Sequence, residues 1–167
     1  MNYIKFNFYS ITLVLSMIIL SGCNSDSTIS ASNNQEGLSN MPEGVQNGTV
    51  SADYYKELVY MIDYFTSYSE EIFLTDSIDY GNVEEKSRDY LVDINSLNLM
   101  PQTEADSDLD TYAIDFKTQS ELIADYMIDY ATKREQMYYE MAADYIVDAS
   151  NTLKTIEQIS VKYNINN

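Results

Sequence analysis

From Ser107 to Tyr163 the chain contains neither glycine nor proline. A run of that length without either breaker favours continuous helix, because both residues punctuate turns and weaken helix interiors. Positions that can line a core recur there at alternating spacings of three and four: Ala113, Phe116, Ser120, Ile123, Met127 and Tyr130, then Tyr138, Ala142, Tyr145, Ala149, Thr152, Ile156, Ile159 and Tyr163. That is the period of one helix face. The two stripes do not join in phase. The first, continued past Tyr130, lands on Arg134 within the polar run 132–136, where Thr132 and Glu135 have the spacing of a capping box. The slip predicts a tight helix–helix turn near residues 131–136; the competing reading is one long helix with a phase slip.

Upstream the same rhythm repeats. Between Ser51 and Leu74, residues Tyr54, Leu58, Met61, Phe65, Tyr68 and Ile72 form one stripe, and Ser51 is a suitable helix start. Residues 75–82 read as a loop closed by Gly81-Asn82. Val83 to about Asn98 reads as a shorter helix, with Glu84 and Glu85 in its first turn, Tyr90, Leu91, Ile94 and Leu97 on its apolar face, and Pro101 beyond its end. Residues 101–106 form a second expected loop, after which Ser107 and Asp110 suggest a capping box. Short connections between three or four helices predict an all-α antiparallel bundle over residues 51–167. Tyr60-Met61-Ile62-Asp63-Tyr64 recurs letter for letter at Tyr126-Met127-Ile128-Asp129-Tyr130, a hint of a duplicated helical unit.

The N-terminus has a different character. Lys5 precedes a mostly apolar run from Phe6 to Leu20, and then come Ser21, Gly22 and the one cysteine, Cys23. The pattern is that of a secretory signal peptide, too short for a ~30 Å hydrocarbon core. Leu20-Ser21-Gly22-Cys23 resembles the lipobox of bacterial lipoproteins. The resemblance implies cleavage between Gly22 and Cys23, lipidation of the Cys23 sulfur, and a protein held by that lipid on the extracytoplasmic face of the cell membrane. Acyl chains suffice for this, at ~0.8 kcal/mol per buried methylene. Residues 1–22 are then the signal peptide. Residues 23–50, rich in Ser, Asn and Gly, read as a disordered tether spanning roughly 30 Å.

Acidic residues outnumber basic ones 27 to 9, for a net charge of −18. This argues against nucleic acid as a partner, since that needs a basic footprint. With no histidine, neither histidine-dependent zinc sites nor nucleophiles activated by histidine can be built from this chain. Alternating carboxylates at Glu104, Asp106, Asp108 and Asp110 evoke a calcium loop, but Thr111 stands where its glycine belongs and Lys117 where its final glutamate belongs. No metal, cofactor or catalytic constellation is therefore expected.

Tyrosine is the unusual residue, with 16 in the chain, and seven of them directly follow aspartate. Most should line the edge of the core. Tyr55, Tyr60, Tyr64, Tyr112 and Tyr139 fall outside the central stripes and are the candidate interaction surface, because tyrosine gives rigid amphipathic contact area. The expected function is a non-catalytic protein-interaction or structural module whose partner is an envelope or extracellular protein. The alternatives are a lipoprotein that binds a small ligand or divalent cation, and an exclusion or immunity lipoprotein acting against phage, plasmid or toxin.

Overall fold

A computed structural model describes residues 40–74 and 78–166. Every regular element among them is an α-helix: α1 (Glu43–Gln46), α2 (Ala52–Phe73), α3 (Tyr80–Ser96), α4 (Glu104–Lys133) and α5 (Gln136–Lys162). Helix directions follow from contacts between the ends. Ser51, before α2, is bonded to Asp106 at the start of α4. Phe73, at the end of α2, lies beside Tyr139, which also meets Tyr130 near the end of α4. Helices α2 and α4 thus run in parallel. Tyr80 at the start of α3 meets Tyr130, and Lys162 at the end of α5 meets Asp108, so α3 and α5 run the other way. The four long helices form an up-down-up-down bundle, the all-α antiparallel architecture expected from the sequence.

The stripes are the core. Tyr54, Leu58, Met61, Phe65, Tyr68 and Ile72 are all buried, as are Ala113, Phe116, Ser120, Ile123, Met127 and Tyr130. Full burial of one large apolar side chain contributes about 1.5–3 kcal/mol. The repeated pentapeptides lie on the two parallel helices, with Met61 and Met127 both in the core. Helices α4 and α5 pack most intimately, and alanine is frequent on their buried faces, including Ala113, Ala124, Ala142 and Ala149. On α5 the stripe is half-filled: Ala142, Ala149 and Ile156 are buried, whereas Tyr138, Tyr145, Thr152, Ile159 and Tyr163 are only partly so.

The out-of-phase stripes do meet at a turn. Arg134 ends α4 in the left-handed conformation (φ 58°) and Glu135 precedes α5. An arginine rather than a glycine holds this position, and its guanidinium lies 5.0 Å from the centre of the Tyr80 ring, a contact that opposes the backbone cost. The expected capping box there is absent, since the Thr132 hydroxyl turns back to the carbonyls of Ile128 and Asp129.

Three further boundaries differ from expectation. Helix α3 begins at Tyr80, because Asp79 accepts the amides of Gly81 and Asn82 and draws the glycine into the first turn. Helix α4 begins at Glu104, because the capping box is formed by Thr103 and Asp106; Ser107 lies inside the helix and donates to the Thr103 carbonyl. The disordered tether expected over 23–50 does not extend to residue 50. Residues 40–50 fold onto the bundle, where Val45 and Val50 are buried and the Gly44 amide donates to the Asn164 carbonyl at 2.8 Å. Val45 and Val50, five residues apart in a polar stretch, had no periodic partners to reveal them.

Candidate functional site: a tyrosine-lined cleft between α2 and α3

Helices α2 and α3 lie antiparallel and face each other through rows spaced one turn apart. Tyr60, Tyr64, Tyr68 and Glu71 come from α2; Lys86, Asp89, Tyr90 and Asp93 come from α3. Side chains three and four apart share a helix face, so each row presents its aromatic and charged groups together. Between them lies a cleft of about 280 Å³, lined by all of these except Tyr60 and by Ser67 and Val92.

Four tyrosine rings stack in series along this seam. Tyr60 lies on Tyr64 (centroids 5.7 Å apart, planes 11° apart), Tyr64 on Tyr90 (5.2 Å, 15°) and Tyr90 on Tyr68 (4.4 Å, 21°). Phe65 meets both Tyr90 and Phe116 edge-on and continues the aromatic contacts into the core. The series runs from buried to wet: Tyr90 is fully enclosed, whereas Tyr60 is 49% exposed. Such offset stacks stabilise by about 0.5–1.5 kcal/mol per pair beyond area burial and leave little rotamer freedom.

Polar bridges span the cleft at two levels. Glu71 and Lys86 pair at 2.9 Å, which raises the pKa of the Lys86 ammonium above its ordinary value. About two turns away, the Tyr64 hydroxyl donates to Asp93 Oδ2 at 2.7 Å. Between these levels Asp89 enters no hydrogen bond or ion pair among the described residues. Burial, followed by the bond to Asp93, holds the Tyr64 phenol well above its usual pKa. Burial does the same for Tyr68 and Tyr90, so these phenols stay protonated at neutral pH. Tyr68 shares a hydrogen bond of 2.9 Å with Ser87. The buried Tyr90 hydroxyl makes no well-formed hydrogen bond among the described residues; its polar neighbour is the Ser120 hydroxyl, which donates to the Lys117 carbonyl. The cleft therefore offers carboxylate oxygens, which attract cations, while the one amine in its lining is already paired.

The structure separates the five candidate tyrosines. Tyr60 and Tyr64 come together at the cleft. Tyr139 lies at the other end of α2, where it meets Phe73 and Tyr130. Tyr55 and Tyr112 are half-buried against the core near the N-terminal ends of α2 and α4. Of the five, only Tyr60 is largely exposed, because four long helices leave room for most off-stripe rings at their seams. Gly22, Cys23 and the lipobox lie outside the described residues.

The carboxylates at the start of α4 do not converge. Asp106 is buried and accepts the backbone amides of Ser51, Gln102 and Thr103. Asp110 accepts the Tyr54 hydroxyl, and Asp108 takes the Tyr163 hydroxyl and the Lys162 ammonium, which together hold its carboxyl below the usual range. No cluster of three or more histidine, cysteine, aspartate or glutamate side chains among the described residues is placed to hold a metal ion.

Sequence reasoning missed Glu71, Lys86, Asp89 and Asp93. The available signal was the one-turn spacing of Lys86, Asp89 or Tyr90, and Asp93, matched by Tyr60, Tyr64 and Tyr68 on α2; which faces meet depends on the register of the two helices. No protein-family model, curated protein or solved structure matches this chain.

Proposed function

We propose that this chain is a bacterial lipoprotein, anchored through Cys23 to the extracytoplasmic face of the membrane, whose helical bundle is a non-catalytic protein-interaction module. The observation that carries the interaction reading is the four-ring stack from the core to Tyr60, beside a cleft edged with carboxylates. Aromatic rings held in place by stacking lose little entropy when a partner docks, and this favours them as binding anchors. The address rests on the lipobox-like Leu20-Ser21-Gly22-Cys23. No described helix is long and apolar enough to cross a membrane; in this reading the lipid on Cys23 supplies the attachment.

Crosslinking in intact cells, followed by recovery of the lipidated protein, tests the reading. Reproducible enrichment of one envelope protein by the wild type, lost on Cys23→Ala and reduced by Tyr60→Ala, is the expected outcome. Recovery of Cys23→Ala and wild type alike from the membrane would remove the lipid-anchor assignment. Failure of the wild type to enrich any protein above background would remove the interaction reading.

A further inference from the structure

The bundle twice builds the same small polar unit. At the end of α5 the Tyr163 hydroxyl donates to Asp108, while the Lys162 ammonium sits 4.4 Å from the centre of the Tyr163 ring and pairs with that carboxylate at 3.0 Å. At the end of α4, Lys133 lies 4.4 Å from the centre of the Tyr138 ring and pairs with Asp129 at 3.0 Å. In each unit a cation is held by an aromatic ring and a carboxylate at once, two attractions that reinforce each other.

At the α2–α3 cleft the tyrosine and the carboxylate are present in the same relation. Tyr64 donates to Asp93 as Tyr163 does to Asp108. No described cation pairs with Asp93, and the one amine lining the cleft, Lys86, is bonded to Glu71. Asp89 stands one turn before Asp93 on the same face of α3, also without an ion-pair partner among the described residues. A tyrosine, two carboxylates without an ion-pair partner among the described residues and a cleft of about 280 Å³ thus form the anionic part of such a unit; Lys86 feels the charge of Asp89 but gives its ammonium to Glu71.

We infer that the cleft receives a lysine or arginine side chain from a basic segment of the partner protein, held by the carboxylates of Asp89 and Asp93 beside the edge of the tyrosine stack. The inference rests on the interaction-module reading and specifies the partner's chemistry. Charge complementarity supports it on the larger scale too, since a chain of net charge −18 steers basic surfaces towards itself. Lys86 and Glu71 neutralise each other at one level of the cleft, which leaves the Asp89–Asp93 level as its most anionic part.

Hexalysine and hexaarginine peptides, titrated calorimetrically into the full chain in detergent micelles, test this. Asp89→Asn with Asp93→Asn is compared with Asp144→Asn and Asp148→Asn, which remove the same charge from exposed positions on α5. Loss of charge-assisted contacts should weaken peptide binding at least roughly tenfold in the cleft variant, and the α5 variant should stay within about twofold of the wild type, as expected of screened surface charge. Equal weakening in the two aspartate variants would overturn the inference, because a diffuse acidic field would then account for binding. Absence of binding by both peptides would overturn it as well. Unchanged thermal melting of each variant confirms that folding is intact. Peptide binding does not depend on membrane attachment, and partner recovery from cells does not depend on these peptides, so failure of the inference is told apart from failure of the reading it rests on.

Discussion

The carboxylate of Asp106 accepts the backbone amide of Ser51 at 3.0 Å and so joins the N-terminal ends of two parallel helices that lie 55 residues apart in sequence. Its other oxygen accepts the amides of Gln102 and Thr103 at 2.9 and 3.1 Å, and the Thr103 hydroxyl accepts the Asp106 amide in return. The charge is fully buried, but it sits at a helix N-terminus and has three donors. Asp106→Asn nearly keeps the shape but turns an amide N–H toward backbone N–H groups. It should cost about 2–3 kcal/mol, and Asp106→Ala at least as much. A lower urea midpoint with an unchanged slope would register this as lost stability; an unchanged midpoint would mean that the bonds contribute nothing net.

Gly44 is required for lack of space. A Cβ added there would stand 2.0 Å from the Tyr163 carbonyl oxygen and 2.8 Å from Ile165 Cγ2. The first obstacle is backbone and cannot rotate away. Gly44→Ala should therefore cost about 1–3 kcal/mol and speed proteolysis in residues 40–50. Gly48→Ala tests a different cause, since there the positive φ of 77° and not crowding opposes a side chain, and the loss should be smaller.

Lys117, Glu121, Asp125, Asp129 and Lys133 stand at successive i,i+4 positions on α4. The outer pairs are salt bridges, Lys117 with Glu121 and Lys133 with Asp129, and Asp125 is left between two acids. Burial, followed by repulsion from Glu121 and Asp129, raises its pKa above the ordinary 3.8. The folded state then binds a proton more tightly than the unfolded one, so stability falls as pH rises above 3.8, and the penalty is complete above the folded pKa. Asp125→Asn should stabilise the protein at pH 7 by about 0.5 kcal/mol and make no difference below pH 3.8. Melting curves at both pH values check the sign.

The buried phenols give a test of the same sign at high pH. Tyr54, Tyr64, Tyr68 and Tyr90 all have pKa values raised by burial, and Tyr130 is pushed up to about 12 by burial and its contact with Tyr80. In the unfolded chain these groups ionise near 10.0, so their stabilising contribution is complete below that pH and is lost as pH rises above it. Phenolate absorbance should show that Tyr54, Tyr64, Tyr68 and Tyr90 ionise only with unfolding. Tyr90→Phe removes a buried hydroxyl without a well-formed hydrogen bond among the described residues and should raise stability by up to about 1 kcal/mol; destabilisation would show that Ser120 accepts from it.

Much of the fold was legible because burial in a helix is periodic. Tyr54 to Ile72 and Ala113 to Tyr130 were identifiable position by position, and even the glycine-free turn at Arg134 left a trace as a break in phase. The helix starts were less legible, because capping depends on which of several neighbouring oxygens reaches the amides: Thr103 was chosen over Ser107, and Asp79 over the residues nearer Val83. The fold of residues 40–50 was invisible, since it depends on two isolated valines and on a backbone bond to Asn164. At the candidate site, Tyr60 and Tyr64 could be singled out as lying off the core stripe. Their partners on α3 could not, because the match of Tyr64 with Asp93 and of Glu71 with Lys86 exists only once two helices have taken a register.

The fastening of Gly44 to Asn164 gives the molecule a mechanical character. Tension arriving through the residues before Asn40 is received first by this seam, not by the four long helices. The seam holds one backbone bond between the two segments and the burial of Val45, Val50 and Ile165, contacts that a pull from the N-terminal side strips one after another. It is accordingly the part that yields at lowest force. Each residue released adds roughly 3.5 Å of extended chain, so under such a pull the seam lengthens first while the tyrosine stack and its acidic cleft keep their shape.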